Sequence, residues 1–427
     1  MGVLRSRDDT NPRTVSPAAR RKFAVDEWNA RLAKNKHRTY TYISNSESLK
    51  LGRMTFKFLH TADWHIGKVF GSFEPEKQSI LRRARLAAID RLAAAAYARG
   101  IGHIVVCGDI FDAPGLADDL LLTVRARLAS HPGVTWHLLP GNHDAGHGDG
   151  IWPRFAKFGL PPNVNLLTQP AAFEPVPGVV LLPAPVPARS VSRDLTAWMD
   201  EAATPKGAIR IGVAHGSVRG FGSDGAASIT ISPQRRISAR LDYLALGDWH
   251  GVSEIAAGVW YSGTPEPEQF PDNEPGFALA VTIDAAGAPP RVERVAIASH
   301  TWIKRSYVVS KASDLDILEA EIGKLGAARS ELLLELTLTG AVVLEVDADI
   351  SARLAALSPT LFHLRHRLEG LRLDTGADDL ASLADQQLAS VAGQLISLRG
   401  SGPDGDIAES ALRRLFTFAR QAERAGR

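Results

Sequence analysis

From position 56 onward, short apolar runs recur, and most of them end in a short polar motif. Phe56–Thr61, Ile101–Cys107, Val134–Leu139, Val179–Leu182, Ile209–Ala214 and Tyr243–Leu246 each read as a strand. Gln78–Ala98 is rich in Ala, Leu and Arg and free of Gly and Pro, which predicts a helix stopped by Gly100. Leu116–Ala129 predicts another, ended by His131-Pro132-Gly133, and Ser190–Ala203 a surface helix. Val259–Tyr261 and Phe277–Ile283 add strands. Alternating strands and helices imply an α/β layered domain, in which ligands bind beyond the carboxyl ends of the strands.

Beyond residue 300 the pattern changes. Leu332–Leu338 and Ala341–Val346 read as a hairpin around Thr339-Gly340, Leu315–Leu325 as a helix and Leu361–Leu373 as a third strand. On that strand Phe362, Leu364 and Leu368 share one face, and His363, Arg365 and Arg367 the other. Residues 377–398 and 407–424 read as helices separated by Gly400-Ser401-Gly402-Pro403. Asp406-Ile407-Ala408-Glu409 has the form of a capping box. Ile407, Ala411, Leu415, Phe418 and Ala422 then fall on one face, fit to dock on their own domain or on a partner helix. The expected organisation is a basic, flexible extension over 1–53, an α/β domain over 54–300, a small α+β module over 301–376 and C-terminal helices over 377–427.

Composition alters this picture little. With 45% hydrophobic and 22% charged residues the chain is an ordinary globular one. No apolar stretch approaches the ~20 residues that span a bilayer, and the N-terminus lacks the apolar core of a signal peptide. The single cysteine, Cys107, excludes an internal disulfide and fits a reducing cytoplasm. Charge is uneven: residues 1–53 carry 12 Lys+Arg against 5 Asp+Glu, whereas the whole chain is only +2. Within 1–53, Arg20–Ala33 reads as a helix, and Met54 stands as an alternative start. The two basic clusters, Arg235-Arg236 with Arg240 and Arg365-His366-Arg367, read first as ordinary solvated faces and second as phosphate contacts.

The chemistry lies in five motifs: Asp63-Trp64-His65, Gly108-Asp109, Gly141-Asn142-His143-Asp144, His215-Gly216 and Gly247-Asp248-Trp249-His250. Carboxylates, an amide oxygen and imidazoles together make the mixed N/O ligand set of a two-metal hydrolytic site. Asp63 and His65, at i and i+2 of an extended end, would face one rim. Trp64 and Trp249 read as packing beneath the site, His60 as a core histidine, and His147 as a loop residue. Loop Arg219–Arg236 reads as a flexible lip.

In order and spacing these motifs resemble the calcineurin-like metallophosphoesterase superfamily. The wording of Leu59-His60-Thr61-Ala62-Asp63-Trp64-His65-Ile66-Gly67 and Gly108-Asp109-Ile110-Phe111-Asp112 is similar to its SbcD-type branch, the nuclease subunit of a DNA-repair complex with an SMC-like ATPase. The resemblance implies a layered β-sandwich flanked by helices, with a smaller C-terminal α+β module. It implies one cation on Asp63, His65, Asp109 and His250, and another on Asp109, Asn142, His215 and residue 248. His143 would stand beside the phosphate, its ring oriented by Asp144, while a hydroxide held between the cations attacks phosphorus in line. The branch usually has a histidine where this chain has Asp248, a harder donor that favours Mn²⁺ or Mg²⁺, with Fe²⁺ and Zn²⁺ as alternatives.

The function so implied is a metal-dependent DNA exonuclease/endonuclease of DNA repair, with DNA and a coiled-coil ATPase as partners and a homodimer as a further one. A small-molecule or nucleotide phosphodiesterase or phosphatase on the same site, and a weakly catalytic DNA- or partner-binding subunit, are the competing readings.

Overall fold

In the computed structural model, residues 55–425 are described, apart from 147–149, 190, 222–228, 326–327, 376–379, 382, 384–385 and 400–403. The readings of 1–53, of His147 and of the Gly-rich linker 400–403 lie outside the described residues, as does the centre of the lip at 219–236. The elements run β1 (Phe56–Thr61), α1 (Pro75–Ala98), β2 (His103–Cys107), α2 (Asp118–Ala129), β3 (Thr135–Leu139), α3 (Ile151–Lys157), β4 (Val164–Leu166), β5 (Phe173–Val176) and β6 (Val179–Ala184). They continue with β7 (Ile209–His215), β8 (Ser217–Val218), β9 (Thr230–Ile231), α4 (Arg235–Ser238), β10 (Tyr243–Gly247), β11 (Ser253–Ala256), β12 (Val259–Tyr261), β13 (Phe277–Ile283) and β14 (Arg291–Ala296). The C-terminal part holds β15 (Thr301–Val309), α5 (Ala312–Gly323), β16 (Leu332–Val342), α6 (Leu344–Leu357), β17 (His363–Leu373), α7 (Gln386–Leu398) and α8 (Asp404–Ala425).

Two six-stranded sheets, ordered β14-β13-β1-β2-β3-β4 and β11-β12-β10-β7-β6-β5, face each other. Strand alternation explains how. On β2, Val105 and Cys107 point into the space between the sheets, where they meet Phe58, Ile211, Val213 and Tyr243. Ile104 and Val106 point outward against Ile89 and Leu92 of α1 and Leu121 and Val124 of α2. Covered on both faces, the strand is a nearly continuous apolar run, and each fully buried side chain of this size contributes roughly 1.5–3 kcal/mol. The parallel set β1-β2-β3 ends at one rim, as does β7-β10. The expected layered sandwich with flanking helices is thus the architecture found.

Three expectations are corrected. Around Thr339-Gly340 there is no hairpin: β16 runs straight through, and β15, β16 and β17 pair in parallel, with α5 and α6 as crossovers. Gly340 has a different cause, since a Cβ there would lie 2.3 Å from the Val309 carbonyl oxygen of β15. Within 190–203, the described helix is only a 3₁₀ turn at Ala197–Asp200. The Asp194 carboxylate accepts from Thr196 N and Ser232 N and pairs with Arg235, bonds that compete with helix. The last helix begins at Asp404, ahead of the expected cap at Asp406, and buries Ala408, Leu412 and Phe416, one position round from the expected stripe. Ile407 and Phe418 stay 67% and 65% exposed.

The C-terminal core, built on Leu334, Leu336 and Leu338 with Leu315, Ile350 and Leu412, is separate from the sandwich. Phe70, Leu81 and Phe270 join it to Trp302 and Leu333 in a small aromatic cluster. No described helix is long and apolar enough to cross a membrane.

His60 and His137 are buried, and desolvation pushes both imidazoles down to about 3. An unfolded histidine takes up its proton near 6.5, so between pH 6.5 and 3 the unfolded chain binds more protons and stability falls as pH falls. Urea unfolding of metal-free protein followed across this window isolates their contribution by comparison with a variant. His137→Leu should reduce the pH dependence by about one proton; an unaltered slope would contradict it.

Candidate metal centre

Each motif begins within two residues of a strand end, and backbone bonds tie the motifs to one another. Asp63 N donates to Gly108 O (3.1 Å) and His65 N to Asp109 O (2.9 Å), joining the first two. Gly216 N donates to Gly247 O (3.1 Å), joining the fourth and fifth. Across the sheets, Asp248 N donates to the Asp63 carboxylate at 3.0 and 3.2 Å.

Two donor clusters result. In one, His215 Nε2 lies 2.7 Å from Asn142 Oδ1, 3.4 Å from Asp109 Oδ2 and 3.7 Å from Asp248 Oδ1. In the other, His65 Nε2 lies 3.3 Å from His250 Nε2 and 3.8 Å from Asp109 Oδ2, and Asp63 has a carboxylate oxygen within 4.8 Å of a ring nitrogen of each histidine. All seven expected ligands meet, and Asp109 belongs to both clusters. The ring nitrogens show that the donors fit cations. His215 Nδ1 must donate to the Cys107 carbonyl at 2.8 Å, so the inward Nε2 is the nitrogen that would meet a cation in exchange for its proton. His65 Nδ1 faces Asp112 Oδ1 at 3.2 Å, and His250 Nδ1 faces Glu268 Oε1 at 3.3 Å. With protons on these outer nitrogens, two lone pairs point at each other across 3.3 Å, an arrangement a cation relieves.

The backbone is built for this convergence. Asp63 (φ 54°), His65 (φ 43°), Asp109 (φ 52°) and Asp248 (φ 102°) all lie in the left-handed region. Asp63 and His65 therefore meet through a strained loop, in place of the extended end expected. Such positions cost on the order of 1–3 kcal/mol each and persist where the surroundings over-determine them. Glycines make the remaining room. A Cβ on Gly108 would lie 2.3 Å from His215 Nδ1, and one on Gly141 2.1 Å from Asp109 Oδ1.

Charge follows the geometry. Burial pushes the Asp63 carboxyl up to about 7, against the pull of His250 and His215. At Asp109 burial is overcome by His215 and His65, which hold its carboxyl below the usual range. Burial opposes charge on His215, but Asp109, Asp63 and Asp248 together drive its pKa up. A metal-free site thus gathers protons where cations would otherwise sit.

His143 reaches the rim, with its backbone N donating to Asp109 Oδ1 at 2.9 Å. Its ring is oriented differently from the expectation. Nδ1 donates to the Asp112 carbonyl (2.9 Å), whereas the buried Asp144 carboxylate accepts from Gly141 N (2.6 Å) and Phe111 N (3.1 Å). Asp144 therefore holds the loop, having spent both oxygens on backbone, and Asp112 holds the ring. His60 is a core histidine between Tyr243 OH and Leu246 O, and Trp64 packs on Trp136. Trp249 stacks edge-on against Phe221. Of the first basic cluster, Arg235 is buried in ion pairs with Asp194 and Asp200.

Sequence reasoning missed Asp112, Glu268, Ser217 and Arg85. Asp112 lay in plain view at the end of the second motif's flank. Glu268 carried no signal, being 18 residues beyond His250 in a Pro-rich loop.

Residues 56–252 match the family model of the calcineurin-like phosphoesterases. No curated protein matches the chain. The match spans every motif, and with two Asp/His clusters able to hold ions it supports a metal-dependent phosphoesterase of the metallophosphoesterase superfamily.

Gly141→Ala should cost at least about tenfold in metal affinity and lower the melting temperature, because the new methyl meets both the Asp109 carboxylate (2.1 Å) and its backbone nitrogen (2.4 Å). Metal content after dialysis, beside a thermal melt, checks it; wild-type content in the variant would contradict it.

Proposed function

We propose that the protein is a phosphodiesterase acting on DNA, with exonuclease and endonuclease activity in repair, and that Mn²⁺ is its preferred ion. The observation that carries the hydrolytic part is Asp109 standing between two donor clusters, 3.8 Å from His65 Nε2 and 3.4 Å from His215 Nε2. When bound, two divalent cations supply Lewis-acid charge at a phosphate and lower the pKa of a coordinated water. The chain's own residues do the rest. His143, anchored through Nδ1, keeps Nε2 for the phosphate or the leaving oxygen. Asp248 turns one oxygen toward His215 while Ser217 Oγ donates to the other at 3.0 Å. That oxygen, where the resembled branch has a nitrogen, favours the harder ions.

The SbcD-like wording around Asp63 and Asp109 and the added C-terminal module support DNA as the substrate. So do Arg365 and Arg367, with side chains 46% and 54% exposed on the face of β17 that also carries His363, although both pair with Glu335. A cavity of about 180 Å³ lined by Trp249, His250, Thr264 and Glu268 favours the second reading, a small nucleotide phosphodiester. Exposed Ile407 and Phe418 on α8, with the half-buried Ala411 and Leu415 between them, support a coiled-coil ATPase as partner.

With Mn²⁺, purified protein should degrade labelled DNA, and His143→Ala should slow this at least about 100-fold with metal content unchanged. Hydrolysis confined to nucleotide diesters or phosphomonoesters would contradict the DNA reading. Ile407→Glu with Phe418→Glu, both at exposed positions, should abolish co-purification with the ATPase and leave nuclease activity intact; unchanged co-purification would contradict the partner.

A further inference from the structure

The ligands do not exhaust the charge at the rim. Behind His65 and His250 stand two carboxylates, Asp112 and Glu268, and two cations, Lys68 and Arg85. His65, Asp112 and Glu268 have donor atoms within 4.8 Å of one another, which resembles a third ion site. Lys68 Nζ, however, lies 3.6 Å from Asp112 Oδ1 and 3.5 Å from Glu268 Oε2, so a tethered ammonium already meets both carboxylates.

We infer that Glu268, clamped by Arg85, is a positioning residue that sets the tautomer of His250 for the cation held by Asp63, His65 and His250. This rests on the metal-centre reading above. Arg85, in the middle of α1, is 2% exposed. It donates to Trp64 O (2.9 Å), between the ligands Asp63 and His65, and to Glu266 O (2.9 Å) and Glu268 Oε2 (3.2 Å). One side chain thus fixes the loop carrying two ligands and the loop carrying Glu268. With Oε2 given to Arg85, Oε1 is left for His250 Nδ1 at 3.3 Å. A carboxylate only accepts, so Nδ1 carries the proton and Nε2 presents its lone pair to the site.

The two clusters are therefore held by different means. The His215 ring is anchored on a backbone carbonyl, that of Cys107, which no substitution removes. His65 and His250 depend on side chains. Glu268→Gln is nearly isosteric, yet its amide must turn its oxygen to Arg85, which only donates. Its NH₂ then faces His250 Nδ1, forcing the proton onto Nε2, where it blocks the cation.

Metal-free protein titrated with Mn²⁺ by calorimetry tests this. Wild type should show two binding events per chain. Glu268→Gln should weaken one of them roughly 10–100-fold and leave the other within about threefold, with the metal-free chain still unfolding in one cooperative transition. Lys68→Met, which removes a charge but keeps the Arg85 clamp, should preserve both events, and Glu268→Asp should recover part of the loss. Two wild-type events in Glu268→Gln, equal weakening in Lys68→Met, or an Asp variant no better than Gln would each overturn the assignment. A wild-type chain that takes up no Mn²⁺ would instead contradict the metal-centre reading itself.

Discussion

Three carboxylates, Asp63, Asp109 and Asp248, converge on one imidazole, that of His215, and two of them are almost wholly out of water. Like charges at this range repel strongly in a medium of low dielectric, and burial raises the cost of each. Protons offset part of this in the metal-free chain, as the raised pKa of Asp63 and His215 indicates. Cations offset it better and leave the carboxylates ionised. Much else in the sandwich follows from keeping these groups together. Parallel strands end at one rim, four ligand positions accept left-handed backbone, and Gly108 and Gly141 leave space no side chain could share.

How far this was legible depended on the range of the interaction. The strands of the sandwich could be read because Phe56–Thr61 and Ile104–Cys107 carry their own pattern of burial. The seven residues expected to hold metal could be picked out because metal chemistry restricts residue type at each motif, and the fold brings their side chains together. What could not be read was set by tertiary pairing. Thr339-Gly340 has the composition of a hairpin turn, and only the neighbouring β15 backbone at Val309 shows that Gly340 is there for close approach. Asp194 draws its partners from Ser232 and Arg235, far along the chain, and so ends a helix that local propensity favours. On α8 the periodicity was visible, but the choice of buried stripe was made by β17 and α7. Asp144 was expected to orient the His143 ring, and only the fold shows that the main-chain carbonyl of Asp112 meets that ring while the Asp144 carboxylate accepts from backbone.

The centre is asymmetric in how it is supported. One imidazole hangs on a main-chain carbonyl, and two face carboxylates, Asp112 and Glu268, of which Glu268 is clamped by Arg85. Arg85 spans the loops after β1 and before β13, and Glu266 in the second loop accepts from Ser299 N and His300 N at the threshold of β15. The aromatic cluster of Phe70, Phe270 and Trp302 lies alongside. The C-terminal module is therefore attached beside the loop that carries Glu268, on the His250 side of the centre.

The central claim is that one carboxylate, Asp109, serves two cations. Crystals soaked in Mn²⁺, with anomalous differences collected at the manganese edge, test it most directly. The account predicts two peaks in each chain, one among Asp63, His65 and His250, the other among Asn142, His215 and Asp248, with Asp109 touching both. A single peak, or peaks away from Asp109, would contradict it.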